Sequence, residues 1–227
     1  MSDYEDILLR EEFRLIQELQ KDKEFSRYVT VKYKERFGGE VKSVLSSPTG
    51  NKFPETYIAV YQMPVYVSAG QLKNDFRGTA TIVLSESVLR NKSADNAPHI
   101  DWQANCIPFN NHVTDRVICN GYGSTSAWGA AKDLGIWYLI IVMGLLINQD
   151  PSVTPDEDCH MNSGAYNYWV RRGRQPVTPI KWPRNLLEDD YEEEPIMTIK
   201  KKNTTTQPGI SIKKKSQEQP AITIKKR

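Results

Sequence analysis

The spacing of apolar and polar positions divides the first half of the chain into one helix and several strands. Between Tyr4 and Phe25 the apolar residues recur along one side of a helix, with Glu, Arg, Gln and Lys on the other side. The segments that follow are rich in β-branched and aromatic residues with partial alternation, and Gly, Pro and Asn separate them. They predict strands at Tyr28–Tyr33, Tyr57–Ser68 and Arg77–Leu84, with a further strand fragment at His99–Trp102.

The second half begins with a segment without periodicity, from Cys106 to Trp128, that is rich in Asn, Gly and Ser. Irregular segments of this length usually carry function in a compact domain. The apolar residues after it predict a buried helix over Lys132–Asn148, which stops before Asp150-Pro151 because proline disfavours helical geometry in the preceding residue. A shorter helix is expected at Asn162–Arg172. The order predicts an α+β fold: an N-terminal helix, an antiparallel four-stranded meander, a functional loop and C-terminal helices.

The distribution of apolar residues also predicts the domain organisation. They cluster before Trp182, so we expect one domain over residues 1–182 and a flexible charged tail over residues 183–227. The net charge of +2 favours neither nucleic acid nor acidic membranes for the chain as a whole. The longest apolar run, Ile136–Ile147, has 12 residues. A membrane helix needs about 20, so no membrane span is expected.

The three cysteines, Cys106, Cys119 and Cys159, are an odd number without a short paired spacing. This pattern is typical of neither a disulfide scaffold nor a zinc ribbon, and it fits the reducing cytoplasm. We expect no metal and no organic cofactor. Cys106, beside the apolar Ile107, is interpreted as a structural thiol. The carboxylates around Cys159 disfavour a thiolate and make it a poor nucleophile.

The surroundings of Cys119 differ from those of the other two thiols. Asn111 stands eight positions before it, Ile118 directly precedes it, and Trp128 follows nine positions later. This arrangement resembles the signature of the ubiquitin-conjugating family, in which an Asn, an aliphatic residue and a Trp surround the catalytic cysteine in this order. An inert buried cysteine, the alternative interpretation, would not predict these neighbours together.

The resemblance continues downstream and covers about residues 5–175. The family has a hydrophobic helix that closes on Asp-Pro, as at Asp150-Pro151, and then an Asn-x-x-Ala helix with an aromatic residue a turn later, as at Asn162–Trp169. The chain departs from the family where Phe109-Asn110-Asn111 replaces the usual His-Pro-Asn, and where Val117 replaces a Gly. These departures indicate a divergent, bacterial relative of the kind found in ubiquitin-like conjugation or antiviral defence operons.

The resemblance implies a UBC-like fold and a transferase that carries a ubiquitin-like protein as a thioester on Cys119 and passes it to an amine. Sulfur suits both steps because a thiolate is a good nucleophile and a good leaving group. Asn111 would stabilise the oxyanion, or alternatively hold the loop by hydrogen bonding. Asp156 and Asp158 would orient the incoming lysine, unless they form only a solvated acidic loop. The implied partners are a ubiquitin-activating-like enzyme, the modifier and a target protein.

Two other functions fit parts of the sequence. A catalytically inactive UBC-fold adaptor is favoured by the missing His-Pro-Asn triplet. A Cys-His protease or transglutaminase-like enzyme would need a histidine beside Cys119, and His112 is the histidine that shares its loop.

The tail contains three copies of a short unit that begins with Pro and ends in three basic residues, at 195–202, 208–215 and 220–227. The acidic run Glu188–Glu194 precedes them. Each unit is too short to fold alone, but its alternating Ile and Thr or Ser suits addition to the sheet edge of a partner protein, and repetition would add avidity. Binding to an anionic surface, a solubilising role and self-conjugation of the lysines are the other interpretations.

Overall fold

The computed structural model describes residues 3–35, 39–49, 53–90, 98–118, 135–150, 162–173 and 175–183. Within these ranges the chain is a mixed α+β protein with an N-terminal helix and a five-stranded antiparallel sheet. The predicted tail beyond residue 183 lies outside them. The helices are α1 Asp3–Lys21, α2 Lys23–Ser26, α3 Glu86–Arg90, α4 Ile136–Ile147 and α5 Ser163–Arg171; the strands are β1 Val29–Lys34, β2 Val41–Ser43, β3 Thr56–Ser68, β4 Gln71–Val83 and β5 His99–Ala104.

The sheet has the order β2-β1-β3-β4-β5, and all neighbouring strands are antiparallel. The expectation of four strands was therefore wrong by one. The additional strand, β2, has three residues at the sheet edge and is too short to show an alternating pattern. Strand β4 begins at Gln71, six residues before the predicted Arg77, because it pairs with the end of β3 through a polar stretch. The other predicted strands are present within a few residues.

The first helix is shorter than predicted. It ends at Lys21, and Asp22 adopts an extended conformation with its side chain accepting a hydrogen bond from the Phe25 N–H at 2.7 Å. This is the geometry of a helix N-cap, so the short helix α2 begins directly after Asp22. The apolar periodicity continues through this break, which is why the pattern alone predicts one helix to Phe25.

One face of the sheet is covered by helices. In β1 the buried residues Val29, Val31 and Tyr33 alternate with exposed ones, as expected for a strand with one solvent-exposed face. Helix α1 packs against β1 and α4, and α4 packs against β3. In α4 every residue except Tyr138 is buried, which confirms the predicted core helix. No described helix is long and apolar enough to cross a membrane.

The N-terminus of α4 is capped by a side chain from α1. Gly135 occupies the N-cap with a φ of 68°, and it has no side chain to offer. The Glu12 carboxylate, fully buried, instead accepts a hydrogen bond from the Trp137 N–H at 2.7 Å. A buried helix end needs such partners, and a negative charge there also interacts favourably with the helix dipole. Glu12 therefore joins the first helix to the central one.

The C-terminus of α4 ends in a turn that uses a strained residue. Gln149 has a φ of 58°, in the left-handed region. This conformation directs the N–H groups of Gln149 and Asp150 back to the carbonyls of Leu146 and Leu145, at 3.0 and 2.9 Å. The pattern is a Schellman motif, with glutamine where glycine is usual.

The residues after α5 return to the end of α4. The buried Asn148 donates through Nδ2 to the Thr178 carbonyl at 2.8 Å and accepts from the Thr178 N–H at 2.9 Å. Further on, the buried Trp182 packs against the Phe25 ring, with centroids 5.3 Å apart, and lies directly over Gly144. A side chain at Gly144 would collide with the Trp182 ring, so the glycine permits this close approach. The core thus includes Trp182, close to the end of the predicted domain.

We expect Glu12→Ala to lower the free energy of unfolding by about 2–3 kcal/mol, because it removes a charged acceptor from a buried N–H. Glu12→Gln keeps an acceptor oxygen and should cost about half as much. The neighbouring Glu11 is partly exposed and pairs with Arg14 at the surface, so Glu11→Ala should change stability by less than about 0.5 kcal/mol. Urea unfolding measures all three. Equal losses for Glu12→Ala and Glu11→Ala would contradict the assigned cap.

A second charged contact closes the β1–β2 hairpin. Glu35 Oε1 accepts hydrogen bonds from Lys42 Nζ at 2.8 Å and from the Thr49 N–H at 3.1 Å. The Lys42 hydrogen bond and those from Thr49 lower the pKa of the Glu35 carboxyl to about 2.

The contribution of Glu35 to stability should therefore depend on pH. Because its pKa is lower in the folded state, the contribution is complete above the ordinary value of 4.5 and is lost as the pH falls toward about 2. The stability difference between the wild type and Glu35→Gln should be constant above pH 5, to within about 10%, and shrink below it. NMR titration of the carboxyl carbon gives the pKa directly, and a midpoint near 4.5 would show that the contact is absent in solution.

Candidate functional site

The predicted site residues fall into two groups. Asn111 lies in the described loop after β5, whereas Cys119, Asp156 and Asp158 lie outside the described residues, as does Cys159. Of the four candidate site residues, the described ranges therefore contain Asn111 alone. Among the described ranges there is no group of three or more His, Cys, Asp or Glu side chains that could hold a metal ion.

Cys106 is the one cysteine among the described residues. Its thiol is partly buried, and it packs against the hydrophobic core. Burial raises the pKa of the Cys106 thiol, and the nearby Lys73 ammonium only partly opposes this. A raised pKa leaves less thiolate at neutral pH, so Cys106 is a poor nucleophile. The geometry supports its interpretation as a structural cysteine.

The chain reaches Cys119 through a tight hairpin. Val113 and Ile118 form an antiparallel bridge, and both side chains are buried. Between them the Thr114 N–H donates to the Val117 carbonyl at 2.7 Å, while Thr114 Oγ1 accepts from the Arg116 and Val117 N–H groups at 3.2 and 2.9 Å. A threonine that bonds to its own turn in this way stabilises the reversal. The residue directly before Cys119 is therefore held in place by pairing and by burial.

This hairpin is attached to the edge of the sheet. The Ala104 N–H at the end of β5 donates to the Asp115 carbonyl at 2.8 Å, and Trp102 Nε1 donates to the Thr114 carbonyl at 2.9 Å. Asn105, the next residue, bonds back to β4 through its backbone and both side-chain atoms. The loop is thus an extension of the sheet rather than a free segment.

Asn110 connects the loop to the end of α4. Its buried Nδ2 donates to the carbonyls of Leu146 and Ile147, at 3.1 and 3.4 Å. Its Oδ1 accepts from the N–H groups of His112 and Val113, at 2.6 and 3.1 Å. The two donors and the acceptor of this amide are all in use. Asn110 is a structural residue with no hydrogen left for a substrate.

The backbone of Phe109 is held from two sides. Its N–H donates to the Tyr66 carbonyl of β3, and its carbonyl accepts from Trp169 Nε1 of α5 at 2.9 Å. The rings of Phe109 and Tyr168 meet edge to face with centroids 5.6 Å apart. The backbone of Phe109 thus lies between the sheet and the last helix. The hydrogen bonds at this position come from the main chain and do not depend on which side chain occupies it.

Asn111, the predicted oxyanion residue, has a different environment from Asn110. Its side chain is buried and its Nδ2 contacts Nε2 of the neighbouring His112. An amide nitrogen donates, so this contact is a hydrogen bond in the His112 tautomer whose Nε2 carries no proton. The second N–H of Asn111 makes no hydrogen bond to any residue in the described part of the chain. Asn111 can therefore donate one hydrogen bond to a reacting group.

The Asn-x-x-Ala spacing of the last helix has a structural explanation. Asn162 is the N-cap of α5, and its Oδ1 accepts from the Ala165 N–H at 3.0 Å. Ala165 is fully buried, and Trp169 follows on the same side of the helix. The motif thus orients α5 so that Trp169 reaches the Phe109 carbonyl.

Sequence reasoning missed the roles of Asn110 and His112. The Asn residues of the loop were a visible signal, but the spacing argument singles out Asn111 alone. The hydrogen-bond partners of Asn110 lie 36 and 37 residues away, so no local pattern could reveal them. His112 was considered only as an activating base for a thiol, and the structure instead places its ring against Asn111.

Comparison with known proteins adds no information on function. No family model matches the chain. Neither a curated protein nor a solved structure matches it either.

We expect the two neighbouring asparagines to respond differently to alanine. Asn110→Ala removes hydrogen bonds to two buried carbonyls and from two N–H groups, and it should lower the unfolding free energy by about 3 kcal/mol. Asn111→Ala removes one contact and should cost about 1 kcal/mol or less. Urea unfolding of the two variants is the measurement. A loss for Asn111→Ala as large as that for Asn110→Ala would make Asn111 structural.

Proposed function

We propose that the chain is a ubiquitin-conjugating-like transferase with a UBC-like fold, which carries a ubiquitin-like protein as a thioester on Cys119. The observation that carries the proposal is the hairpin Val113–Ile118, because it holds Ile118, the residue directly before Cys119, in place. Asn111, eight positions before Cys119, precedes the same hairpin. The other support is the sequence resemblance and the order of helix, antiparallel sheet, loop and two helices.

The proposed reaction has two transfers. In the first, the Cys119 thiolate attacks the C-terminal carbonyl of the modifier, which is held as a thioester on an activating enzyme, and the thiol of that enzyme leaves. In the second, the amine of a target lysine attacks the new thioester, the carbonyl oxygen becomes an oxyanion, and the Cys119 thiolate leaves as the carbon–sulfur bond breaks. The amine loses its proton to solvent.

Asn111 is proposed to act in both tetrahedral intermediates. A single oxyanion donor contributes about 3–4 kcal/mol when it is already oriented before the reaction. Asn111 meets the requirement for a free donor, since one of its two amide hydrogens is unused among the described residues. Asp156 and Asp158 are proposed to orient the lysine. We propose that the reaction takes place in the cytoplasm of a bacterium. The gene would lie in a ubiquitin-like conjugation or antiviral defence operon.

The transfer is tested with the activating enzyme and modifier encoded beside the gene. With ATP, the full-length protein should form an adduct that is stable on a non-reducing gel and lost with thiol. Cys119→Ala should abolish the adduct. The matched variants Cys106→Ala and Cys159→Ala should retain it to within about twofold, because neither thiol has the surroundings of a nucleophile. An adduct that persists in Cys119→Ala would exclude Cys119 as the acceptor.

A second candidate function is a non-catalytic adaptor that recruits partners through the three tail repeats. The observation that favours it is Phe109-Asn110-Asn111, where the family has His-Pro-Asn, together with the purely structural bonds of Asn110. Cells that keep full function with Cys119→Ala but lose it when the chain is truncated after Glu194 would support the adaptor. The opposite pair of results would support the transferase.

A further inference from the structure

The sheet has a second face, opposite to the one that α1 and α4 cover. Successive side chains of a strand point to opposite faces. In β1 the side chains of Thr30, Lys32 and Lys34 are exposed, whereas those between them are buried on the side of the helices. The antiparallel register continues both faces across β3, β4 and β5. Lysine side chains therefore border the second face on the β1 side.

One row of side chains runs straight across this second face. The register pairs Lys32 with Ile58, Ile58 with Thr81, and Thr81 with Asp101. Residues that are paired directly across strands lie on the same face of a sheet. Lys32 and Asp101 are exposed, and the two residues between them are partly exposed. The row is thus positive at β1, uncharged in the middle and negative at β5.

The two charges at the ends of the row are not used within the sheet. In the part of the chain that the structure describes, neither Lys32 nor Asp101 forms an ion pair. Three strand spacings separate them, or about 14 Å, which is too far for direct contact between their side chains. Both charges are therefore available to another molecule. A partner with one sign of charge would be attracted at one end of the row and repelled at the other.

A second copy of the same row has the complementary order. A twofold axis along the strands, between β3 and β4, places β1 of one copy over β5 of the other. Lys32 then faces Asp101 of the second copy, Ile58 faces Thr81, and symmetry repeats each contact. We propose that the chain forms a homodimer in which this face packs on the same face of a second copy, with two ion pairs between Lys32 and Asp101.

The dimensions of packed sheets fit this arrangement. Two sheets that pack face to face lie about 10 Å apart, with strands crossing at about −30°. A lysine and an aspartate that point toward each other span this separation, and the long lysine side chain accommodates the crossing angle. The methyl groups of Ile58 and Thr81 leave water between the two ion pairs. Apolar burial and charge pairing therefore favour the same orientation.

The two neighbouring rows do not oppose this orientation. One row consists of Thr30, Val60, Thr79 and Gln103 and carries no charge. In the other row, Lys34 on β1 would face His99 on β5 of the second copy. A neutral imidazole accepts a hydrogen bond from an ammonium group.

The size of the face determines how strong the dimer should be. Three rows on four strands cover about 400 Å² in projection. Stable interfaces bury roughly 800 Å² of accessible surface on each partner. We therefore expect a weak dimer, with a Kd on the order of micromolar.

The test measures association of the full-length protein by sedimentation equilibrium at low salt, from about 1 to 200 μM protein. The wild type should show a monomer–dimer equilibrium. Lys32→Glu and Asp101→Lys should each raise the dimer Kd about tenfold or more, because each places two like-charged pairs in the interface. The double variant restores opposite charges and should return the Kd to within about threefold of the wild type. Thr81→Arg, close to the axis, should abolish the dimer.

Lys23 and Glu24 supply the matched control, because both are exposed on α2, which contacts α1. Lys23→Glu and Glu24→Lys make the same two changes of charge away from this face and should leave the Kd within about twofold. Circular dichroism and urea unfolding show whether each variant keeps the fold.

Three outcomes would overturn the homodimer as described. The first is a wild type that stays monomeric at every concentration. The second is a dimer whose Kd is unchanged in Lys32→Glu or Thr81→Arg, which would indicate association through another part of the chain. The third is a double variant that stays as weak as the single variants, because Lys32 then does not pair with Asp101.

Discussion

A helix that is apolar on every side must be buried, and the arrangement of this fold follows from burying α4. Burial of its apolar side chains stabilises the folded state, but the N–H and C=O groups at its ends lose their hydrogen bonds to water and need other partners. The α4 sequence contains no Asp, Glu, Asn, Gln, Ser or Thr that could cap its ends. The partners come from distant parts of the chain: Glu12 at the N-terminus, and Asn110 and the Gln149–Asp150 turn at the C-terminus. A few polar side chains thus decide which segments meet at the core.

The candidate site inherits its geometry from this requirement. Asn110 satisfies the end of α4 with Nδ2 and shapes the loop with Oδ1, so one side chain serves the core and the site together. A low local dielectric strengthens these bonds and makes each unpaired group costly, which leaves the loop few alternative conformations. The consequence is that Asn111 and Ile118 are positioned by a packed helix rather than by the loop alone. A group that must be oriented before a reaction benefits from such support.

The sequence predicts the elements better than the contacts between them. Local periodicity is enough for α1, the long strands, α4 and α5, because burial of one face, or of all faces, leaves a regular pattern. It fails for β2, which has three residues. The site shows the same limit. Spacing identifies Asn111, but the role of Glu12 depends on a residue 125 positions away, and that of Asn110 on residues 36 and 37 positions away. Pairings over such distances are set by the fold and leave no local signal.

The contacts of Phe109 and Asn110 explain the residues at these two positions. Position 109 contributes its backbone to Tyr66 and Trp169, so a histidine side chain is not required for those bonds. A proline at position 110 would have no side-chain amide to bond the last carbonyls of α4. The asparagine there supplies two donors and an acceptor that proline cannot. Asn110 therefore belongs to the way this chain terminates its central helix, and the next residue, Asn111, keeps one N–H without a partner among the described residues.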